Sequence, residues 1–201
     1  MLAALALAAV LPTISISVHA SPDVSPRLVK WTFEEADAIW RDAGVRIRWT
    51  LENENELVPA APDPGDRLRV VIDHDRGMNL GADVALGWVT FEGDQPRPEI
   101  HLSYTNAVDG LERIAPRTMM HLLSQMRSDE LVATALGRAL AHELGHYLLE
   151  LKEHIGSDDL MHADWTADEL FGPVRPRFHL NPAQRQVISS KLLPAAQLTK
   201  R

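Results

Sequence analysis

The chain has 201 residues, of which 45% are hydrophobic and 24% charged, with no cysteine and a formal net charge of −8. That length suits one domain with a substantial core, and the composition is that of a soluble globular protein. Lys and Arg are scattered along an acidic chain, which excludes a nucleic-acid partner, and the lack of cysteine excludes disulfides and thiolate metal sites. Any metal must be held by His and carboxylates.

The opening run "MLAALALAAVLP", residues 1–12, has the length of a signal-peptide h-region and is too short to span a bilayer, although no Lys or Arg precedes it. It reads as a possible signal segment, which places the protein in a secreted or periplasmic setting and leaves 13–201 as one domain without a transmembrane segment. "ISISVHA" then alternates apolar and polar at Ile14, Ile16 and Val18, the period of a half-buried strand, so cleavage is expected before it, near Ala8 or Ala9. Ser25-Pro26 supplies an N-cap and a first-turn proline, and Val29, Phe33, Ala36 and Trp40 recur at helical spacing until Gly44. "VRIRWTL", "LRVVIDH", "ALGWVTF" and "EIHLSY" read as four more strands, with loops at "ENENELVPAAPDPGD" and "EGDQPRP".

A polar helical stretch is expected around Leu111 to Gln125. Ser128-Asp129-Glu130 should open a long helix, with a cap residue and acids where the macrodipole favours them. Asn181-Pro182 with Gln184 reads as the capped start of a last helix. The expected fold is α/β (α+β), with a twisted mixed five-stranded sheet, two long helices and a small C-terminal part ending in that helix.

Four of the nine histidines fall between Ala139 and Trp165. In "HELGH", His142 and His146 are four residues apart, so on a helix they project from one face about a turn apart and can share one ion. Glu143 beside them is poorly placed to be a third ligand but can take a proton from a water and pass one to a leaving amine. That is the logic of zinc peptidases. The motif sits near the end of its helix, behind an apolar face of Leu131, Ala135, Leu136 and Leu140.

A catalytic zinc needs a third protein ligand and an open position. His154, His162 and the carboxylates downstream, chiefly Glu169, are the candidates. Were the helix to continue, His154 would lie about 12 Å beyond His146 along the axis, so the chain must break and fold back. "YLLELKEH" contains no Gly or Pro to force that break.

The run H-E-L-G-H, seven residues, His154 and then "DDLM" resembles the metzincin clan of zinc endopeptidases, and more closely a bacterial matrixin-like group with a late third His and a following Leu-Met. The resemblance implies that His142, His146 and His154 are zinc ligands, Glu143 the general base and acid, and Met161 the Met-turn residue beneath the metal. It also implies a metzincin-like fold acting on peptide or protein substrates as a monomer. Two departures stand out: Leu149 occupies the position of the usual glycine, and the third His comes two residues late. There is no Tyr two residues after Met161 to act as an extra ligand.

His19, His74, His101, His121, His162 and His179 have no metal spacing to the motif and read as strand, loop or surface residues. Glu99 to Tyr104 is a candidate edge strand for an extended peptide. Two rival readings accompany the metalloendopeptidase: a gluzincin-like peptidase using Glu169 as third ligand, and a zinc-binding module without catalysis.

Overall fold

The computed structural model describes residues 12–52, 68–77, 85–114, 125–154 and 158–192. The leader, apart from Pro12, lies outside them, as do His121 and Pro194. Strand β1 (Thr13–Ala20) buries Ile16 and Val18 completely, as the alternation requires. Helix α1 (Pro26–Asp42) follows, with Ser25 Oγ accepting from the Leu28 amide at 3.1 Å and Val29, Phe33, Ala36 and Trp40 buried. Gly44, at φ +83°, lets the chain leave that helix left-handed, and the Val45 amide closes on the Trp40 carbonyl at 3.0 Å.

Strands β2 (Arg46–Leu51) and β3 (Leu68–Asp73) flank β1, both parallel to it. In β2, Ile47 is buried and Trp49 stacks on Phe33 at 4.5 Å, but Leu51 at the strand end is 60% exposed. Strands β4 (Gly87–Glu92) and β5 (Gln95–Ser103) complete a five-stranded mixed sheet in the order β2-β1-β3-β5-β4.

Two expectations are corrected here. "EGDQPRP" is not a loop: Gly93, at φ +64°, and Asp94 form a two-residue turn, and Gln95 and Pro96 already pair with Glu92 and Phe91. The prolines are tolerated because the ladder shifts register between Val89 and Phe91, at an irregularity where proline costs little. Nor is Glu99–Tyr104 an edge. β5 is parallel to β3 on one side and antiparallel to β4 on the other, so among the described strands β4 is the edge at that end.

Helix α2 (Tyr104–Ile114) starts directly after β5, earlier than the expected stretch, whose residues 115–124 lie outside the described part. Helix α3 (Gln125–Leu149) also starts earlier than Ser128. Ser128, expected as the cap, is therefore inside the helix, and Asp129 beside it meets Ser25 at the start of α1 (3.5 Å) in a tertiary tie. Helices α4 (Ala167–Phe171) and α5 (Pro182–Leu192) make up the C-terminal part. α5 is capped reciprocally: Asn181 Oδ1 accepts from the Gln184 amide at 3.0 Å and Gln184 Oε1 from the Asn181 amide at 2.8 Å.

The core lies between the sheet and the α1–α3 pair. These helices cross closely at Gly137, where a Cβ would stand 2.6 Å from the Thr32 carbonyl oxygen. One turn on, Trp40 Nε1 donates to the Ala141 carbonyl at 3.3 Å, fixing α3 just before His142. The guanidinium of Arg138 is fully buried; it bonds Glu35 of α1 at 2.9 Å and the carbonyls of Glu169 and Leu170. α3 is thereby held to α1 and to the C-terminal part together. No helix among the described residues is long and apolar enough to cross a membrane.

Candidate metal centre

His142 and His146 project from the last two turns of α3, 6% and 5% exposed, on a helix whose apolar residues Leu136, Leu140, Leu144 and Leu148 are buried in the core. The helix ends at Leu149. Glu150 takes the left-handed conformation, φ 54°, and the Leu151 amide donates to the His146 carbonyl at 3.1 Å, the six-to-one closure of a Schellman motif. The break that has no glycine in the sequence is therefore made by a glutamate.

The turn brings His154 back to the helix. His142 Nε2 lies 3.0 Å from His146 Nε2 and 3.1 Å from His154 Nε2, and the His146–His154 separation is 3.3 Å. Among the described residues this is the one group of three or more His, Asp or Glu close enough to hold an ion.

The tautomers follow from the other ring nitrogens. His142 Nδ1 lies 2.6 Å from the Leu160 carbonyl oxygen and His146 Nδ1 2.5 Å from that of Leu151. A carbonyl can only accept, so both Nδ1 atoms carry the proton and both Nε2 atoms present lone pairs. Two lone pairs 3.0 Å apart with no proton between them repel, and a cation among the three nitrogens resolves that conflict. Tetrahedral zinc, with Zn–N bonds of about 2.0–2.1 Å, sets its ligand nitrogens about 3.3 Å apart, so the donor set fits. Burial, and next the neighbouring His146, pushes His142 down to about 3; burial also lowers His146 and His154. All three are neutral at pH 7, the form that ligates.

Glu143 is not part of the three-His group. Its carboxylate takes a hydrogen bond from the Val89 backbone on β4, and its Cγ would lie 3.2 Å from a Cβ on Gly87. Burial pushes its carboxyl up to about 8 against the opposing effect of that bond. Gly87 thus keeps the edge strand close to the glutamate.

Met161 is fully buried with its sulfur against Gly145, inside the HELGH segment. Its turn is fixed by Asp159, a buried carboxylate that accepts from the Met161 amide (2.9 Å) and from Asn181 Nδ2 (2.9 Å), while the Leu160 amide donates to the His179 carbonyl (2.8 Å). Asp159 and Arg138 went unnoticed in the sequence. An Asp two residues before the Met is a detectable turn signal, whereas the burial of Arg138 leaves no local trace.

Glu169 is engaged elsewhere. It occupies the third position of the α4 capping box with Thr166 and pairs with Arg177, whose guanidinium holds its carboxyl down at about 2. His162 stands edge-on to Trp165 at 5.8 Å, outside the three-His group, and Trp165 stands edge-on to His142 at 6.1 Å. His19 lies on β1. His74 bonds Asp23 and Thr105, His101 bonds Glu99 and stacks under Trp88, and the His179 backbone helps pin the Met161 turn.

No family model and no curated protein matches the sequence. Among solved structures, the chain is similar to archaemetzincin from Methanopyrus kandleri, with a TM-score of 0.53 and 12% identity over 90% of this chain and 96% of that one. The fold is metzincin-like. A similarity to myroilysin, at 10% identity over 90% of this chain and 93% of that one, has a TM-score of 0.38, too low to bear on the comparison.

Proposed function

We propose that the chain is a zinc-dependent metalloendopeptidase of the matrixin-like kind, a single catalytic domain over 13–201 with His142, His146 and His154 as ligands and Glu143 as general base and acid. The observation that carries this reading is the convergence of three Nε2 atoms within 3.0–3.3 Å, two of them bearing lone pairs because their Nδ1 protons go to carbonyls. When bound, zinc supplies Lewis acidity that polarises a carbonyl and makes water nucleophilic near pH 7. Glu143, on the same helix and outside the ligand set, would take a proton from the attacking water and return one to the leaving amine. A cation held by the three histidines would lower the carboxyl that burial pushes up, favouring the ionised form a base needs.

Among the described strands β4 is the sheet edge beside Glu143, and an extended peptide or protein substrate would lie along it. In this reading the protein acts as a monomer in a secreted or periplasmic setting. The test is metal analysis of the purified chain with hydrolysis of a broad peptide library. Stoichiometric zinc with chelator-sensitive cleavage is expected. Zinc without cleavage would favour the non-catalytic zinc-binding module, and a chain that takes up no zinc overturns the reading.

A further inference from the structure

We propose that Lys191, on α5, is a positioning residue for the third histidine: it holds the left-handed turn that carries His154 to His142 and His146. This inference rests on the three-His reading above.

Two helices of this fold end in the same way with different chemistry. α1 ends at Gly44, φ +83°, with the Val45 amide on the Trp40 carbonyl at 3.0 Å. α3 ends at Glu150, φ 54°, with the Leu151 amide on the His146 carbonyl at 3.1 Å. Glycine enters that conformation freely, but a residue with a Cβ meets the following carbonyl oxygen and resists it. Glu150 therefore needs an outside contact that glycine does not.

Lys191 supplies that contact twice. Its Nζ donates to the Leu148 carbonyl at 3.0 Å and pairs with Glu150 Oε1 at 2.9 Å. The first bond satisfies one of the last carbonyls of α3, which have no partner within the helix, and places a cation at the negative end of its dipole. The second holds the left-handed residue by its own side chain.

The turn is also locked to the metal site. The His146 carbonyl accepts from Leu151, and His146 Nδ1 donates to the Leu151 carbonyl at 2.5 Å, so the ring of the second histidine and the turn are braced against each other. His154 follows three residues later. If Glu150 relaxed toward helical φ, α3 would lengthen and the loop to His154 would lose its start. The ammonium on α5 thus replaces the missing glycine.

The test measures zinc affinity by competition with a chromophoric chelator for wild type, Lys191→Met, Lys191→Arg, and Lys191→Met combined with Glu150→Gly. Lys191→Met should bind zinc roughly two- to tenfold more weakly, in keeping with loss of a half-exposed ion pair and one hydrogen bond. Lys191→Arg should keep most of the affinity, and adding Glu150→Gly to Lys191→Met should restore it, because glycine makes the clasp dispensable. A Lys191→Met chain that holds zinc as tightly as wild type, or a Glu150→Gly addition that restores nothing, overturns the inference while leaving the three-His reading intact. A wild-type chain that takes up no zinc overturns both.

Discussion

The sulfur of Met161 rests against Gly145, so that the residue between the two helix-borne histidine turns is also the floor on which the following loop sits. A Cβ at 145 would run into that sulfur. Gly145→Ala should therefore destabilise the chain by about 1–3 kcal/mol, the usual cost of overpacking, despite alanine's better helix propensity. Chemical denaturation measures this. Met161→Ala in the same chain should recover part of the loss by making room, and two losses that simply add would show that the contact is not the cause.

Glu143→Gln should keep zinc and lose hydrolysis by about 10²–10⁴-fold, the typical worth of general acid and base catalysis. Amide and carboxyl are nearly isosteric, so the bond from Val89 can persist. Steady-state kinetics alongside metal content decides the matter, and full activity in the variant would remove Glu143 from the mechanism.

His154→Ala should release zinc to a mild chelator, weakening it by at least the roughly 10–100-fold that follows loss of an outer-shell partner. Glu169→Ala should keep zinc but weaken the α4 cap by about 0.5–2 kcal/mol, since its carboxylate belongs to Thr166 and Arg177. Metal content and a thermal melt separate the two effects. The reverse pattern would move the protein to the gluzincin-like reading.

Acid should act on the metal-free chain through the histidines. Their folded-state values lie below the ordinary 6.5, His142 at about 3, chiefly because burial disfavours the charged ring. The unfolded chain thus takes up protons first. Their contribution to stability is full above pH 6.5 and is lost as the pH drops from there toward 3, whereas Glu143, raised to about 8, contributes in the opposite sense between pH 8 and 4.5. Zinc affinity should fall over the same range, because protons compete for the ligand nitrogens. Urea midpoints of the metal-free Glu143→Gln chain at pH 7.5 and 5, which leave the histidines to act alone, with zinc titrations at both, check the sign; values that do not change would refute it.

Period-two alternation in β1 and β2, the Ser25-Pro26 cap of α1 and the HELGH spacing were legible because each rests on residues close in sequence. Strand order was not. That β4 and not β5 forms the edge depends on which distant strands pair, and no local pattern carries that information. Pro96 and Pro98 concealed the start of β5, because a register irregularity that tolerates proline is invisible until the partner strand is in place. The end of α3 was hidden for a related reason: the left-handed Glu150 is supported by Lys191, which lies on another helix.

The sheet order also bears on how the molecule is made. β1 is parallel to both β2 and β3, and β3 to β5, so three of the four pairings join strands that only crossover connections can link. Such non-local closure is slow compared with local helix contacts. β1, α1 and β2 come first in the chain, whereas all three histidines lie beyond position 141 and the turn to His154 is contacted by Lys191 on α5, the last of the described elements. A chain that stops short of α5 therefore has every described strand and all three histidines but lacks the clasp on the turn to His154. In the three-His reading, a chain that lacks α5 would hold zinc more weakly than one that has it.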